Sequence, residues 1–124
     1  MREVTTAQLR HYKEMIASGG VDAASRMYGE LYGMGYNYAG WAEGVSRGNS
    51  ITGLSAIDFL QDSYFSATCQ YLTQDQVDQI RRDMAQRTLD EYIRIAEASG
   101  GTLSRDLRYE ETKDLLIKVH DTRS

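Results

Sequence analysis

Hydrophobic residues recur every three to four positions through most of the chain, and this spacing predicts helices. No alternating run of β-branched residues competes with that pattern. A first helix is expected to begin at the capping box of Thr5 and Gln8 and to end at Gly19 and Gly20. Its predicted buried face consists of Leu9, Tyr12 and Ile16.

Two helices are predicted in the middle of the chain. The second starts at Asp22 and runs toward Arg47, with a bend between Gly33 and Gly40, because clustered glycines weaken a continuous helix. The third is capped by Asn49 or Ser50. Its apolar spacing predicts a well-buried face made of Ile57, Leu60, Tyr64, Ala67 and Tyr71.

The fourth predicted helix begins at a second capping box, Thr73 with Gln76, and ends before Gly100. A fifth starts near Ser104. Its expected buried side carries Tyr109, Thr112, Leu116 and Val119. The chain is therefore expected to form an all-α, compact bundle of about five helices, the second of which is rich in glycine and tyrosine.

Composition narrows the class of protein. The 124 residues, 41% hydrophobic and 26% charged, suit a single helical domain spanning 1–124. A net charge of −4 without a block of like charges argues against nucleic-acid binding and against attraction to anionic lipid. Because Cys69 is the only cysteine, the chain can form no internal disulfide and no cysteine-based zinc site.

The N-terminal residues do not resemble a secretory signal peptide, since charges at Arg2, Glu3 and Arg10 leave no apolar run. Glu30 and Glu43 interrupt the glycine-rich stretch, so no membrane span is expected. The default expectation is a cytoplasmic protein, or one secreted without a cleavable signal.

The most unusual segment runs from Tyr28 to Gly53 and repeats tyrosine and glycine at helical intervals. Tyr28, Tyr32 and Tyr36 would stack on one helix face. The neighbouring face would carry Gly29, Gly33, Gly40, Gly44 and Gly48. Each interior glycine costs about 0.5–1 kcal/mol relative to alanine, which implies a compensating close approach of another backbone. That contact could be internal packing, a partner protein or a glycine zipper in a membrane.

A nucleophile motif is also present. Gly44-Val45-Ser46-Arg47-Gly48 has the G-x-S-x-G form, with Asp58 and His120 following in the order used by α/β-hydrolases. That motif requires a strand before the serine, whereas the surrounding pattern is helical. Ser46 is therefore expected to be an exposed serine between two glycines.

Carboxylates near the tyrosine-rich segment suggest a second chemistry. Glu43, Glu30 and Asp58 could supply the acids of a small lysozyme-like glycan hydrolase, for which aromatic rings form sugar platforms. Glu43 is the better candidate, because the neighbouring Trp41 would shield its carboxyl group from water.

The remaining candidates have structural interpretations. His11 and His120 lie at opposite ends of the chain without ligand spacing, so no metal and no other cofactor is expected. Cys69 is expected to be a small buried hydrophobe.

The segments YNYAGWAEGVSRGNSITGLSAIDFL and IRRDMAQRTLDEYIRIAEASGG, with the Arg105-Asp106 pair, resemble helical segments inside large bacterial secreted toxins and effectors. The resemblance implies a module that binds a cognate immunity or effector protein. We therefore expect protein recognition rather than catalysis, with self-association left open; the hydrolase and a membrane-active glycine-zipper toxin are the alternatives. The expected contact residues are Tyr28, Tyr32, Tyr36, Gly40, Trp41 and Gly44.

Overall fold

The computed structural model describes residues 1–47 and 56–112, and these ranges contain five helices and no β-strand element. The helices are α1 (Thr6–Gly33), α2 (Asn37–Arg47), α3 (Ala56–Thr68), α4 (Gln74–Ala98) and α5 (Tyr109–Thr112). The predicted all-α class is confirmed.

Both predicted capping boxes are present. The Thr5 hydroxyl accepts a hydrogen bond from the Gln8 backbone N–H at 3.2 Å, and the Gln8 side chain accepts one from the Thr5 N–H at 2.8 Å. Thr73 and Gln76 repeat the pair at the start of α4, with the same two distances. These bonds satisfy N–H groups that have no partner inside the helix, which explains why both helices begin where the sequence predicts.

Glycines interrupt the helices in the first half of the chain at two places. Gly20 has a φ of 69° and a ψ of −143°, so it breaks α1 into two helical segments. A second interruption follows Gly33, where Gly35 has a φ of 102° and α2 begins at Asn37. The predicted bent helix from Asp22 to Arg47 is therefore two helices joined by a turn, because Gly35 adopts a backbone conformation that ends a helix.

One hydrophobic core joins α1, α2 and α4, with the most extensive packing between α1 and α4. Its largest fully buried side chains are Val4, Leu9, Ile16, Met27, Leu31, Tyr36, Leu60, Met84, Leu89 and Tyr92. A short backbone clasp ties the N-terminal segment to the chain after α4. The N–H of Thr6 donates to Gly101 O at 3.0 Å and the N–H of Leu103 donates to Val4 O at 2.9 Å.

The predicted buried face of α3 is only partly correct. Leu60 is buried, and Ile57 and Tyr64 are partly buried against the core, but Ala67 and Tyr71 are exposed. Because α3 ends at Thr68, Tyr71 does not continue the helical face. The third-helix caps predicted at Asn49 or Ser50 lie outside the described residues.

The last helix starts later than predicted. Residues 104–108 are not helical, and α5 begins at Tyr109. Thr112 is buried as predicted, whereas Tyr109 is exposed, so the predicted buried side is only partly correct. Leu116 and Val119 lie outside the described residues.

Candidate functional site

The three tyrosines expected on one helix face are separated by the fold. Tyr28 is buried within α1, and Tyr36 lies beyond the end of that helix. The Tyr36 hydroxyl donates to the backbone oxygen of Arg2 at 2.5 Å, and burial raises its pKa. Only Tyr32 is exposed, with 57% of its surface accessible. The predicted tyrosine stack is therefore wrong, because the helix ends between Tyr32 and Tyr36.

The glycines likewise do not form one packing stripe. A Cβ atom at Gly29 or Gly33 would meet no atom within 4 Å, so neither glycine provides a close approach. Gly40 does: a Cβ there would lie 2.5 Å from Cδ1 of Tyr32. The expectation of a ring packed on glycine is correct at this one contact. Gly44 is partly buried, and Gly48 lies outside the described residues.

The two candidate acids are each engaged by a neighbour. Glu30 accepts a hydrogen bond from the Tyr12 hydroxyl at 2.9 Å. Burial and this bond raise the Tyr12 pKa to about 12. Glu43 pairs with Arg47 at 3.5 Å, one turn further along α2. Residues two apart point to different sides of a helix, so sequence adjacency does not place the Trp41 ring over the Glu43 carboxyl group.

Ser46 is buried rather than exposed, and its hydroxyl donates to the Glu43 carbonyl oxygen at 2.9 Å. The serine lies within α2, so the strand that a nucleophile motif requires does not precede it.

Cys69 is exposed rather than buried, and it has a φ of 60°. It occupies the left-handed position just after α3 that glycine usually takes. His11 is also exposed, whereas His120 lies outside the described residues. Within 1–47 and 56–112 no group of three His, Cys, Asp or Glu side chains could hold a metal ion.

Three aromatic side chains meet beside the start of α2. The ring centroids of Trp41 and Tyr109 are 5.3 Å apart and their planes are nearly perpendicular, at 84°. The Tyr38 and Trp41 ring centroids are 5.4 Å apart, with their planes inclined at 46°. Tyr38 is buried and its pKa is raised to about 12, mainly by that burial. Trp41 and Tyr109 remain 36% and 55% exposed.

These rings line a groove of about 370 Å³. The lining residues are Asn37, Tyr38, Trp41, Asp106, Leu107 and Tyr109, and we call this site the aromatic groove. Its volume is near the lower end of the range for binding pockets, about 300–1,000 Å³, which suits a small group rather than a large ligand.

Asp106 gives the aromatic groove a fixed carboxylate. Its Oδ1 accepts hydrogen bonds from the Tyr92 hydroxyl at 2.5 Å and from the Leu107 N–H at 2.8 Å. Its Oδ2 accepts from the backbone N–H of Tyr38 at 3.0 Å, which caps the first turn of α2. Burial, followed by the bond to Asp106, raises the Tyr92 pKa. The carboxylate therefore holds α2, α4 and the chain before α5 together.

Arg105 fixes the segment that carries Asp106 and Tyr109. Its two terminal nitrogens bind the two carboxylate oxygens of Glu111, at 2.9 and 2.7 Å, and one of them also reaches Asp106 O at 3.0 Å. The bond from Arg105, with a second from the Arg108 backbone, lowers the Glu111 pKa to about 2. A bidentate ion pair of this kind fixes the relative orientation of the two side chains as well as stabilising their contact.

Sequence reasoning found Trp41 but missed the rest of the aromatic groove. Tyr38 does not belong to the four-residue tyrosine repeat, and Tyr109 matched the pattern of a buried helix face. Asp106 reaches Tyr38 across 68 positions, so no local spacing signals the contact. The sequence pattern also predicted a helix from Ser104, whereas residues 104–108 are not helical, so Asp106 was not recognised as a capping residue.

A second group of exposed aromatics lies on and just after α3. Phe59 and Phe65 are both largely accessible, and the Phe65 ring stacks on Tyr71 with centroids 4.8 Å apart. These three rings do not line the aromatic groove.

Searches of family models, curated proteins and solved structures found no match to this chain. Among the described residues, no helix has the length and apolar character needed to cross a membrane.

Proposed function

We propose that the chain is a protein-recognition module and that the aromatic groove is its contact surface. The observation that carries the proposal is the exposure of Trp41 and Tyr109 while their rings remain packed against each other. Tryptophan and tyrosine supply much of the binding energy at protein interfaces, where they act as anchors.

The groove is also held in place before any partner arrives. Asp106 is fixed by three hydrogen bonds, and Arg105 anchors the segment bearing Tyr109 through Glu111. Ordering side chains on binding costs about 0.5–1.5 kcal/mol each, so a pre-ordered surface loses less affinity. This feature favours the aromatic groove over the aromatic surface of α3.

The resemblance to helical segments of bacterial toxins and effectors supports a class of partner. Under this proposal the partner is a cognate immunity or effector protein. A second copy of the chain is the competing occupant, and light scattering of the purified chain distinguishes the two.

The test begins with the immobilised wild-type chain, used to capture partners from the cytoplasmic and secreted fractions of the source cells. The captured protein is then purified and titrated by calorimetry against the wild type, Trp41→Ala and Tyr71→Ala. Tyr71 is the matched control, because it is 68% exposed and does not line the groove.

We expect Trp41→Ala to weaken binding by about 2 kcal/mol or more, as an interface anchor does, and Tyr71→Ala to leave it within about twofold. Circular dichroism of each variant establishes that it is folded. Equal binding by wild type and Trp41→Ala would overturn the proposal, as would failure to capture any protein that binds reversibly after purification.

A further inference from the structure

The aromatic groove combines partly exposed aromatic rings with a carboxylate, and the two together indicate what kind of group it accepts. Trp41 and Tyr109 are perpendicular and partly exposed, so their faces point in different directions. The face of an aromatic ring attracts cations, tryptophan most strongly, when the cation lies within about 6 Å of the ring centre.

Asp106 supplies the charge. An ionised carboxylate has about four positions that accept hydrogen bonds, and three are filled here by Tyr92, Leu107 and Tyr38. Among residues 1–47 and 56–112, Oδ2 accepts a hydrogen bond from Tyr38 alone, which leaves it capacity to accept another donor. The three existing bonds prevent the carboxylate from rotating away.

No lysine or arginine within 1–47 and 56–112 forms a salt bridge with this carboxylate. The adjacent Arg105 directs its guanidinium to Glu111 and to the Asp106 backbone oxygen. The N-terminal end of the α2 dipole is equivalent to about half a positive elementary charge and compensates part of the negative charge of Asp106. A cationic donor entering the groove would compensate the remaining negative charge.

We propose that the aromatic groove binds an arginine side chain of the partner protein, with the guanidinium on the Trp41 ring and donating to Asp106. The inference rests on the proposed function and specifies the chemistry of the partner. Arginine fits better than lysine because its planar guanidinium stacks on an aromatic face while one of its N–H groups donates to the carboxylate.

Trp41 is the only tryptophan in the chain, so its fluorescence reports directly on the groove. The probe is the capped peptide acetyl-Gly-Gly-Arg-Gly-Gly-amide. Its control contains citrulline, which retains nearly the same shape but carries no charge. The indole N–H resonance of Trp41, followed by NMR in the same titration, provides a second signal.

We expect saturable binding of the arginine peptide in the millimolar range and at least about fivefold weaker binding of the citrulline peptide. Tyr109→Leu should weaken the arginine peptide about fivefold, while Tyr71→Leu leaves it unchanged. Asp106→Asn should bring the two peptides to similar affinity. If that variant does not fold, Tyr109→Leu still tests the site.

Equal affinities of the wild type for the arginine and citrulline peptides would overturn this inference. So would the lack of any saturable response up to about 10 mM peptide. In either case, loss of partner binding in Trp41→Ala would leave the proposed function standing. Partner binding that is unaffected by Trp41→Ala would overturn both.

Discussion

The ring of Tyr32, in the last turn of α1, lies over the backbone of Gly40 in α2, where a Cβ atom would be 2.5 Å from Cδ1. Tyr32 Cε1 and Cγ would be 2.8 and 3.1 Å away. No substitution at Gly40 can retain the present position of this ring, because real Cβ atoms do not approach so closely. The glycine is required for packing rather than for backbone conformation.

Replacing a helical glycine by alanine normally increases stability, but Gly40→Ala should not give this increase. We expect the change in unfolding free energy caused by Gly40→Ala to be about 1 kcal/mol less favourable in the wild type than in a Tyr32→Ala background, where the ring is absent. Urea unfolding of the four proteins in this cycle measures the difference. Gly29→Ala is the matched control, and it should stabilise the chain by about 0.5–1 kcal/mol because its site is open. Equal effects of Gly40→Ala in both backgrounds would contradict the contact.

Removing the Tyr92 hydroxyl should destabilise the fold through Asp106. In Tyr92→Phe the carboxylate loses one of its three donors, and hydrogen bonds to charged groups contribute about 1.5–3 kcal/mol. Chemical unfolding at pH 7 measures the loss. Tyr64→Phe is the comparison, because Tyr64 is only partly buried and is not one of the three donors to Asp106. A loss no greater than that of Tyr64→Phe would show that the Tyr92 bond contributes little.

The ion pair between Arg105 and Glu111 should make the stability of the fold depend on pH in the acidic range. The Glu111 pKa falls from an ordinary 4.5 to about 2 in the folded chain, so the folded state favours the ionised carboxylate. The ionised Glu111 carboxylate therefore contributes its full share of the unfolding free energy well above pH 4.5, and this contribution decreases as the pH falls toward 2. We expect the difference in unfolding free energy between wild type and Arg105→Gln to shrink over this interval. A difference that stays constant from pH 6 to about pH 2 would contradict the assignment.

Glu43 should not act as a catalytic acid. Glu43→Gln removes a partly exposed pair with Arg47, and such an i,i+4 pair contributes about 0.5 kcal/mol. We expect unchanged bacterial growth when either the wild type or the variant is produced with a periplasmic signal peptide. Glu30→Gln tests the second candidate acid in the same way. Growth arrest that Glu43→Gln abolishes, with release of reducing ends from purified cell wall, would establish the glycan hydrolase instead.

Cys69 should react as a surface thiol. Because it is exposed just after α3, we expect one equivalent to be labelled by a disulfide reagent without denaturant. The labelled chain should keep the helical content of the unlabelled one. Labelling that requires denaturant would place this thiol in the interior, as its sequence context first indicated.

Local signals predicted the fold well. The capping boxes at Thr5 and Thr73 each depend on residues three positions apart, so the sequence contains all the information they need. Gly20 and Gly35 interrupt helices for an equally local reason, since both adopt a positive φ.

The candidate site was less predictable because its contacts are distant. The helical spacing predicted that Tyr36 shares a helix face with Tyr28 and Tyr32, but the turn after Gly33 removes it from that helix. The same kind of spacing predicted that Tyr109 is buried, but the helix begins only at this residue and its ring is exposed. Periodicity also overestimated the burial of α3, since an apolar pattern does not specify how much of it a neighbouring helix covers. The position of Asp106 depends on tertiary hydrogen bonds that no sequence interval encodes.

The backbone clasp of Thr6 with Gly101 and of Leu103 with Val4 has a consequence for synthesis in the cell. Helical bundles usually fold fast because their contacts are local, whereas this clasp joins distant parts of the chain. The packing of α1 on α4 is similarly long-range. During translation, the apolar face of α1 therefore emerges long before its native partner. The nascent chain must keep that face from aggregating until α4 and Leu103 have left the ribosome.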